Sequence, residues 1–267
     1  MRTVREGSFA PDGCIERTVF SERRQLEYRI LIAAPKDKAP EEGYAVVYAL
    51  DGDATFQTMA EAARLQTRKP KGYDPVLVVG IAYPSKEAFD LERRCRDFTM
   101  AVPKAALPPR PDGRAWPPNG EADLFLDFLE HELIPDIARE FPIDAGRRAI
   151  AGHSLGGLLA LHALYARPGL FTHYAAGSPS VWWGENEVLK EQERFAAQWS
   201  GERELHLLLT IGANELEDML EGANEIHRRM KSLSGRGVRT EYVRFDGEDH
   251  VSVLPASLGR IVKFVRS

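Results

Sequence analysis

The chain has 267 residues, with 35 Lys and Arg against 40 Asp and Glu, for a formal net charge of −5. Hydrophobic residues at 43% and charged residues at 28% match a globular domain, which excludes a disordered chain, a collagen-like repeat and a coiled coil. The mild acidity argues against a nucleic-acid partner, which calls for a basic face. No apolar run approaches the ~18 residues of a membrane span, and residues 1–7 lead into no apolar stretch of the kind that marks a signal peptide. Two cysteines, Cys14 and Cys95, are too few for a disulfide framework. These features predict one domain over residues 1–267, cytoplasmic, with neither a nucleic-acid nor a membrane partner.

In chain order, short runs rich in Val, Ile, Leu or Tyr predict strands at Leu26–Ala33, 44–50, Val76–Ala82, 148–152, His173–Gly177, 205–211 and Val238–Phe245. Helical patterns lie between them. Within 123–140, Phe125, Phe128, Leu129, Leu133, Ile134 and Ile137 recur every three or four positions, and Pro135 is expected to kink that helix. Further helices are predicted at Leu155–Ala166, 187–199, 218–233 and 257–265. Strands alternating with helices build βαβ units, hence an α/β fold with a mostly parallel sheet covered on both faces. The uninterrupted apolar runs at 44–50 and 76–82 suit central strands. Residues 85–121 break the rhythm with Pro103, Pro108, Pro109, Pro111, Pro117, Pro118 and the basic knot Arg93-Arg94-Cys95-Arg96. A stretch this long without clear periodicity is commonly functional, and a lid or rim over the site is expected.

The sequence Ala149-Ile-Ala-Gly-His-Ser154-Leu-Gly-Gly-Leu158 places G-x-S-x-G between a predicted strand and a predicted helix. A serine hydroxyl is a weak nucleophile that needs exposure, aim and a base. A sharp strand-to-helix turn supplies the aim, with Gly152 and Gly156 expected to keep Cβ atoms out of the bend. The same turn frees the Leu155 amide at a helix N-terminus to hold an oxyanion. In such a site the acid and the histidine follow the serine in the chain. Of seven histidines, His250 alone sits in a polar loop between the last strand and the last helix, in Asp246-Gly-Glu-Asp-His250. The acid should follow the strand 205–211, where Glu215, Glu217, Asp218 and Glu221 compete. Glu215 ranks first because it falls soonest after the strand, and Glu217 second. The loop after 46–50, Asp51-Gly52-Asp53, is expected to give a second oxyanion donor through the Asp53 amide.

Leu50-Asp-Gly-Asp53…Phe56, Arg94-Cys-Arg-Asp-Phe-Thr99, Gly152-His-Ser-Leu-Gly-Gly157, Ser178-Pro-Ser-Val-Trp-Trp183 and Gly247-Glu-Asp-His250 together resemble the esterase-D superfamily of α/β-hydrolases. Within it the chain looks most like the ferric-siderophore trilactone esterases, of the enterobactin and bacillibactin type, from about residue 15 to the end. That resemblance implies an α/β-hydrolase fold, Ser154 as nucleophile and His250 as base, with the acid position variable. It implies a small ester substrate, a ferric siderophore, and no cofactor: iron would arrive inside the substrate. Ferric tris-catecholates are anionic and aromatic. Arg94 and Arg96 could meet the charge, and Trp182 and Trp183 could line an aromatic pocket. The same machinery would also serve a general carboxylesterase or a thioesterase of the S-formylglutathione or feruloyl type. A non-catalytic ligand-binding hydrolase fold is disfavoured, since every required residue type is present in order. No metal-ligand spacing appears.

Overall fold

The computed structural model describes residues 13–110 and 112–266; the reading of residues 1–7 and Pro111 lie outside them. Eight strands form one sheet in the order β1-β2-β4-β3-β5-β6-β7-β8. They are β1 (Cys14–Ser21), β2 (Leu26–Ala33), β3 (Tyr44–Ala49), β4 (Val76–Ala82), β5 (Ile143–His153), β6 (His173–Gly177), β7 (Leu205–Gly212) and β8 (Val238–Phe245). The β1–β2 and β2–β4 pairs are antiparallel, and every pair from β4–β3 to β7–β8 is parallel. This is the α/β-hydrolase sheet expected from the alternation of strands and helices.

The sheet is buried on both faces because successive side chains of a strand point opposite ways. In β3, Val46, Tyr48 and Leu50 just beyond it pack into one core, while Ala45, Val47 and Ala49 pack into the other. The second core is closed by α1 (Gly52–Gln66) and α8 (Val253–Phe264). Across the sheet lie α2 (Leu91–Phe98), α3 (Ala122–Phe128), α4 (Ile134–Glu140), α5 (Leu155–Ala166), α6 (Trp183–Gln198) and α7 (Glu217–Lys231). α5 is apolar on every side except at His162 and is buried from Leu155 to Tyr165, as a helix packed between the sheet and other helices must be.

Three elements lie where the sequence analysis places none. Strand β1 is an edge strand with mostly exposed or half-buried residues, so it lacks the apolar run that marks the central strands. Helix α1 buries Gly52, Thr55, Phe56, Met59, Ala60 and Ala63, a face built largely of small residues. Helix α2 falls inside the supposedly aperiodic segment 85–121 and buries Arg94 and Asp97 beside Cys95 and Phe98, and the two charged groups mask its helical period. Pro135 does not produce the simple kink expected. A π-helical turn, Leu129–Leu133, joins α3 to α4, and Pro135 falls at the start of α4. A wider turn of this kind is a recognised way of accommodating a proline that cannot donate. Among the described residues no helix is long and apolar enough to cross a membrane.

Candidate active site

The functional side chains stand at the carboxyl ends of adjacent parallel strands, the usual place for a site in an open α/β sheet. Ser154 separates β5 from α5 with φ 59° and ψ −116°, a conformation that L-residues rarely adopt. The Ser154 amide donates to the Gly177 carbonyl at 2.8 Å, which ties the bend to β6. Gly152 is required here, since a Cβ would sit 2.4 Å from the Gly156 carbonyl. Gly156 is less constrained than the sequence analysis expects, with ordinary contacts near 3.5 Å. Gly157 is the crowded one: its Cβ would lie 2.6 Å from the Gly177 carbonyl oxygen.

His250 reaches this serine from the loop between β8 and α8. Its Nε2 is 3.2 Å from Ser154 Oγ, and its Nδ1 is 2.8 Å from Glu215 Oε2. With the proton on Nδ1, His250 donates to the carboxylate and leaves Nε2 to accept from the serine hydroxyl. The Glu215 side chain is itself buried. Its other oxygen accepts from the Gly212 amide at 3.0 Å and from the Ser178 hydroxyl. Burial alone would raise the Glu215 pKa, but the hydrogen bonds from His250, Ser178 and Gly212 outweigh it and hold the carboxyl below its ordinary value. Of the two carboxylates ranked for the acid position, the structure brings Glu215 to His250. Glu217 opens α7 on the exposed side.

Sequence reasoning missed four further groups. Ser178 and Ser180 belong to the Ser-Pro-Ser-x-Trp-Trp stretch, whose serines offer no signal of their own. Ser180 Oγ lies 3.2 Å from Ser154 Oγ. His153, the variable residue of the G-x-S-x-G motif, packs its ring against that of His250 in a tilted arrangement with centroids 4.7 Å apart. Burial, with His250 close by, pushes its pKa down to about 3, so it stays neutral. Asp51 caps α1 from a left-handed conformation at φ 51° and is buried.

The expected oxyanion donors sit where two helices begin. Leu155 is the first residue of α5, and Asp53 is the second of α1. Amides in a first helical turn have no partner within the helix and so can face an anion. The Asp53 carboxylate is turned aside to Arg29, with both oxygens within 2.9 Å of one guanidinium nitrogen.

The expected substrate contacts divide. Trp183 is a correction: it is 0% exposed, and its indole N–H donates to the Met100 carbonyl at 3.2 Å, so it belongs to the core. Arg94 is a second correction. Its side chain is buried and donates to Asp51 Oδ1 at 2.8 Å and to the His153 carbonyl at 3.1 Å. Arg96 remains partly exposed beside Glu121, at 2.8 Å. Trp182 is half-buried and packs with Trp116, from the proline-rich stretch, at 5.8 Å between ring centroids. Next to Glu215 and His250 in the chain, Leu216 is 75% and Val251 78% exposed. Among the described residues, Asp127, Glu130 and His131 lie close enough together to hold a metal ion. Arg167 already pairs with both of those carboxylates, at 2.6 and 2.9 Å, outside the cluster around Ser154.

The family model for esterases, described as putative esterase, matches residues 21–263. The ferri-bacillibactin esterase BesA of Bacillus subtilis is 40% identical over 265 residues, covering 96% of this chain and 91% of the relative. A siderophore triacetylfusarinine C esterase of Aspergillus fumigatus is 32% identical and covers 92% and 90% of the two chains. Among solved structures, the BES protein from Bacillus cereus superposes with a TM-score of 0.92 at 37% identity, covering 99% of this chain and all of the other. With its hydrolase sheet and its serine at the strand-to-helix bend, the chain belongs to the esterase family and is a serine ester hydrolase.

Proposed function

We propose that this chain hydrolyses the ester bonds of a catecholate trilactone siderophore, releasing iron by fragmenting its chelator. The observation that carries the reading is the continuous hydrogen-bonded path Ser154–His250–Glu215, in a chain 40% identical to a ferri-bacillibactin esterase. In this mechanism His250 Nε2 takes the Ser154 proton as Oγ attacks the ester carbonyl, and Glu215 stabilises the imidazolium that forms. The amides of Leu155 and Asp53 hold the tetrahedral oxyanion. His250 then protonates the departing alkoxide, and water activated by the same imidazole hydrolyses the acyl-enzyme. On this reading Trp182 and Trp116, which pack on each other, and the partly exposed Arg96 serve as a rim, offering flat apolar surface and charge to an anionic aromatic substrate. The proline-rich stretch within residues 85–121 carries Trp116 to that rim and serves as one wall of the site. The buried free thiol of Cys95 suits a reducing compartment and supports a cytoplasmic role in iron acquisition.

The test is a side-by-side assay of wild type and Ser154→Ala. Its substrates are p-nitrophenyl acetate, S-formylglutathione, a feruloyl ester and a catecholate trilactone with and without iron. Fast, Ser154-dependent opening of the trilactone is the expected result. Cleavage of the small esters alone would discard the siderophore assignment and leave a general esterase.

A further inference from the structure

Arg94 projects from α2 between two loops that belong to different strands. Its Nε donates to Asp51 Oδ1 at 2.8 Å, at the end of β3, and its Nη2 donates to the His153 carbonyl at 3.1 Å, one residue before Ser154. The guanidinium plane is confined by Phe89 and Phe98, whose ring centroids lie 5.0 and 5.9 Å from it. Asp51 is fixed in turn. Its backbone is left-handed, its carbonyl accepts from the Ala54 and Thr55 amides, and its second carboxylate oxygen is buried without a side-chain or backbone partner. That oxygen lies 3.5 Å from where a Gly156 Cβ would stand, beside the first turn of α5. The positive end of the helix dipole there favours the negative charge.

One guanidinium thus ties the loop bearing the Asp53 amide to the bend bearing the Leu155 amide. We propose that Arg94, acting through Asp51 and the His153 carbonyl, is a positioning residue that sets the spacing of the two oxyanion-binding amides. The inference rests on the mechanism above, in which those amides hold the oxyanion. A buried ion pair is seldom the most stabilising way to fill such a space, and its better-attested use is to specify one geometry. Rigid placement matters at this site because donors must already point at the position the oxyanion will occupy. A displacement of about 1 Å can cost roughly 100-fold in rate.

The experiment compares Arg94→Lys, Arg94→Gln and Asp51→Asn with wild type on a neutral ester, p-nitrophenyl acetate, and an anionic one, p-nitrophenyl hemisuccinate. Binding of a trifluoromethyl ketone, which forms a tetrahedral adduct on the serine, is measured in parallel. The expected result is a fall in kcat of roughly 100-fold for Arg94→Gln on both esters, with KM within about twofold and weakening of the ketone in proportion. Arg94→Lys should recover only part, since an ammonium cannot reproduce the planar two-directional fork. A loss confined to the anionic ester, or a raised KM at unchanged kcat, would overturn the proposal and make Arg94 a direct substrate contact. Should Arg94→Gln fail to fold by circular dichroism, Asp51→Asn carries the test, because it keeps the size and tolerates the left-handed backbone while removing the charge that anchors the guanidinium. Its kcat must fall on both esters, and an undiminished kcat overturns the proposal. Ser154→Ala runs alongside: turnover surviving there would sink the nucleophile assignment itself, a failure separate from that of Arg94.

Discussion

Glu215 Oε2 and His250 Nδ1 are 2.8 Å apart, and the far side of the same carboxylate is clamped by Ser178 and the Gly212 amide. The imidazole is therefore held in one tautomer by a group that cannot itself rotate. Ser154→Ala and His250→Ala should each lower kcat on p-nitrophenyl acetate by about 10⁴-fold or more, and Glu215→Gln by roughly 10³- to 10⁴-fold. Glu217→Gln should stay within about twofold of wild type, since surface changes away from a site seldom matter. Steady-state kinetics on the four variants checks this. A loss in Glu217→Gln equal to that in Glu215→Gln would reverse the assignment of the acid.

Ser178 is buried, and its hydroxyl serves Glu215. Ser178→Ala leaves a buried carboxylate short of one donor. It should cost about 1.5–3 kcal/mol near pH 7, the range for hydrogen bonds to charged groups. The sign follows from the lowered Glu215 pKa. A carboxyl whose folded pKa is depressed adds stability above its unfolded pKa and loses it as pH falls through the folded value. The gap between wild type and Ser178→Ala should therefore narrow on acidification. Urea melts from pH 7 down to the lowest pH at which the protein still folds measure it, and a gap that widens on acidification would count against the charge-assisted bond.

His162 is buried in α5, with Glu191 at 2.9 Å and Asp123 at 3.4 Å. Burial alone would lower its pKa, but the bonds to Asp123 and Glu191 prevail and raise it from 6.5 to about 9. A raised histidine stabilises in its protonated form, fully below pH 6.5, and that contribution is lost as pH rises through about 9. Stability should drop by about 2 kcal/mol across that window, the exposed Asp123 being screened by solvent. Denaturant titrations of wild type and His162→Gln check it. A slope that persists in the variant would place its origin elsewhere.

The paired tryptophans should behave differently. Trp183→Ala opens a cavity in a fully buried site and should cost about 3–5 kcal/mol. Trp182→Ala should cost less stability and raise KM for an aromatic ester by about tenfold, as loss of one stacking face would. Thermal melts and KM values for the two variants separate core from rim. Equal destabilisation with unchanged KM would put both in the core.

Ser154, Glu215 and His250 could be grouped from the sequence because each follows a predicted strand, and the structure brings their side chains into one hydrogen-bonded path. Chain order and loop position thus substitute for spatial knowledge at Ser154, Glu215 and His250. Arg94 was misjudged for the opposite reason. A charge in a basic knot suggests solvent or substrate, and nothing local discloses that Asp51, 43 positions away in the chain, waits for it inside the protein. Helix α1 escaped notice because its buried face is made mainly of Gly, Ala and Thr, which carry little of the apolar contrast that periodicity depends on. Ser178 and Ser180 act through single hydrogen bonds across the sheet, and composition gives no hint of such contacts.

The backbone at Ser154 has φ 59° and ψ −116°, a region in which glycine would rest at ease. Ser154→Gly should consequently melt higher than the native protein while losing turnover altogether, and differential scanning calorimetry would register the gain. Breeding this hydrolase for heat resistance alone, without screening for catalysis, would therefore reward mutants that have discarded the Ser154 hydroxyl.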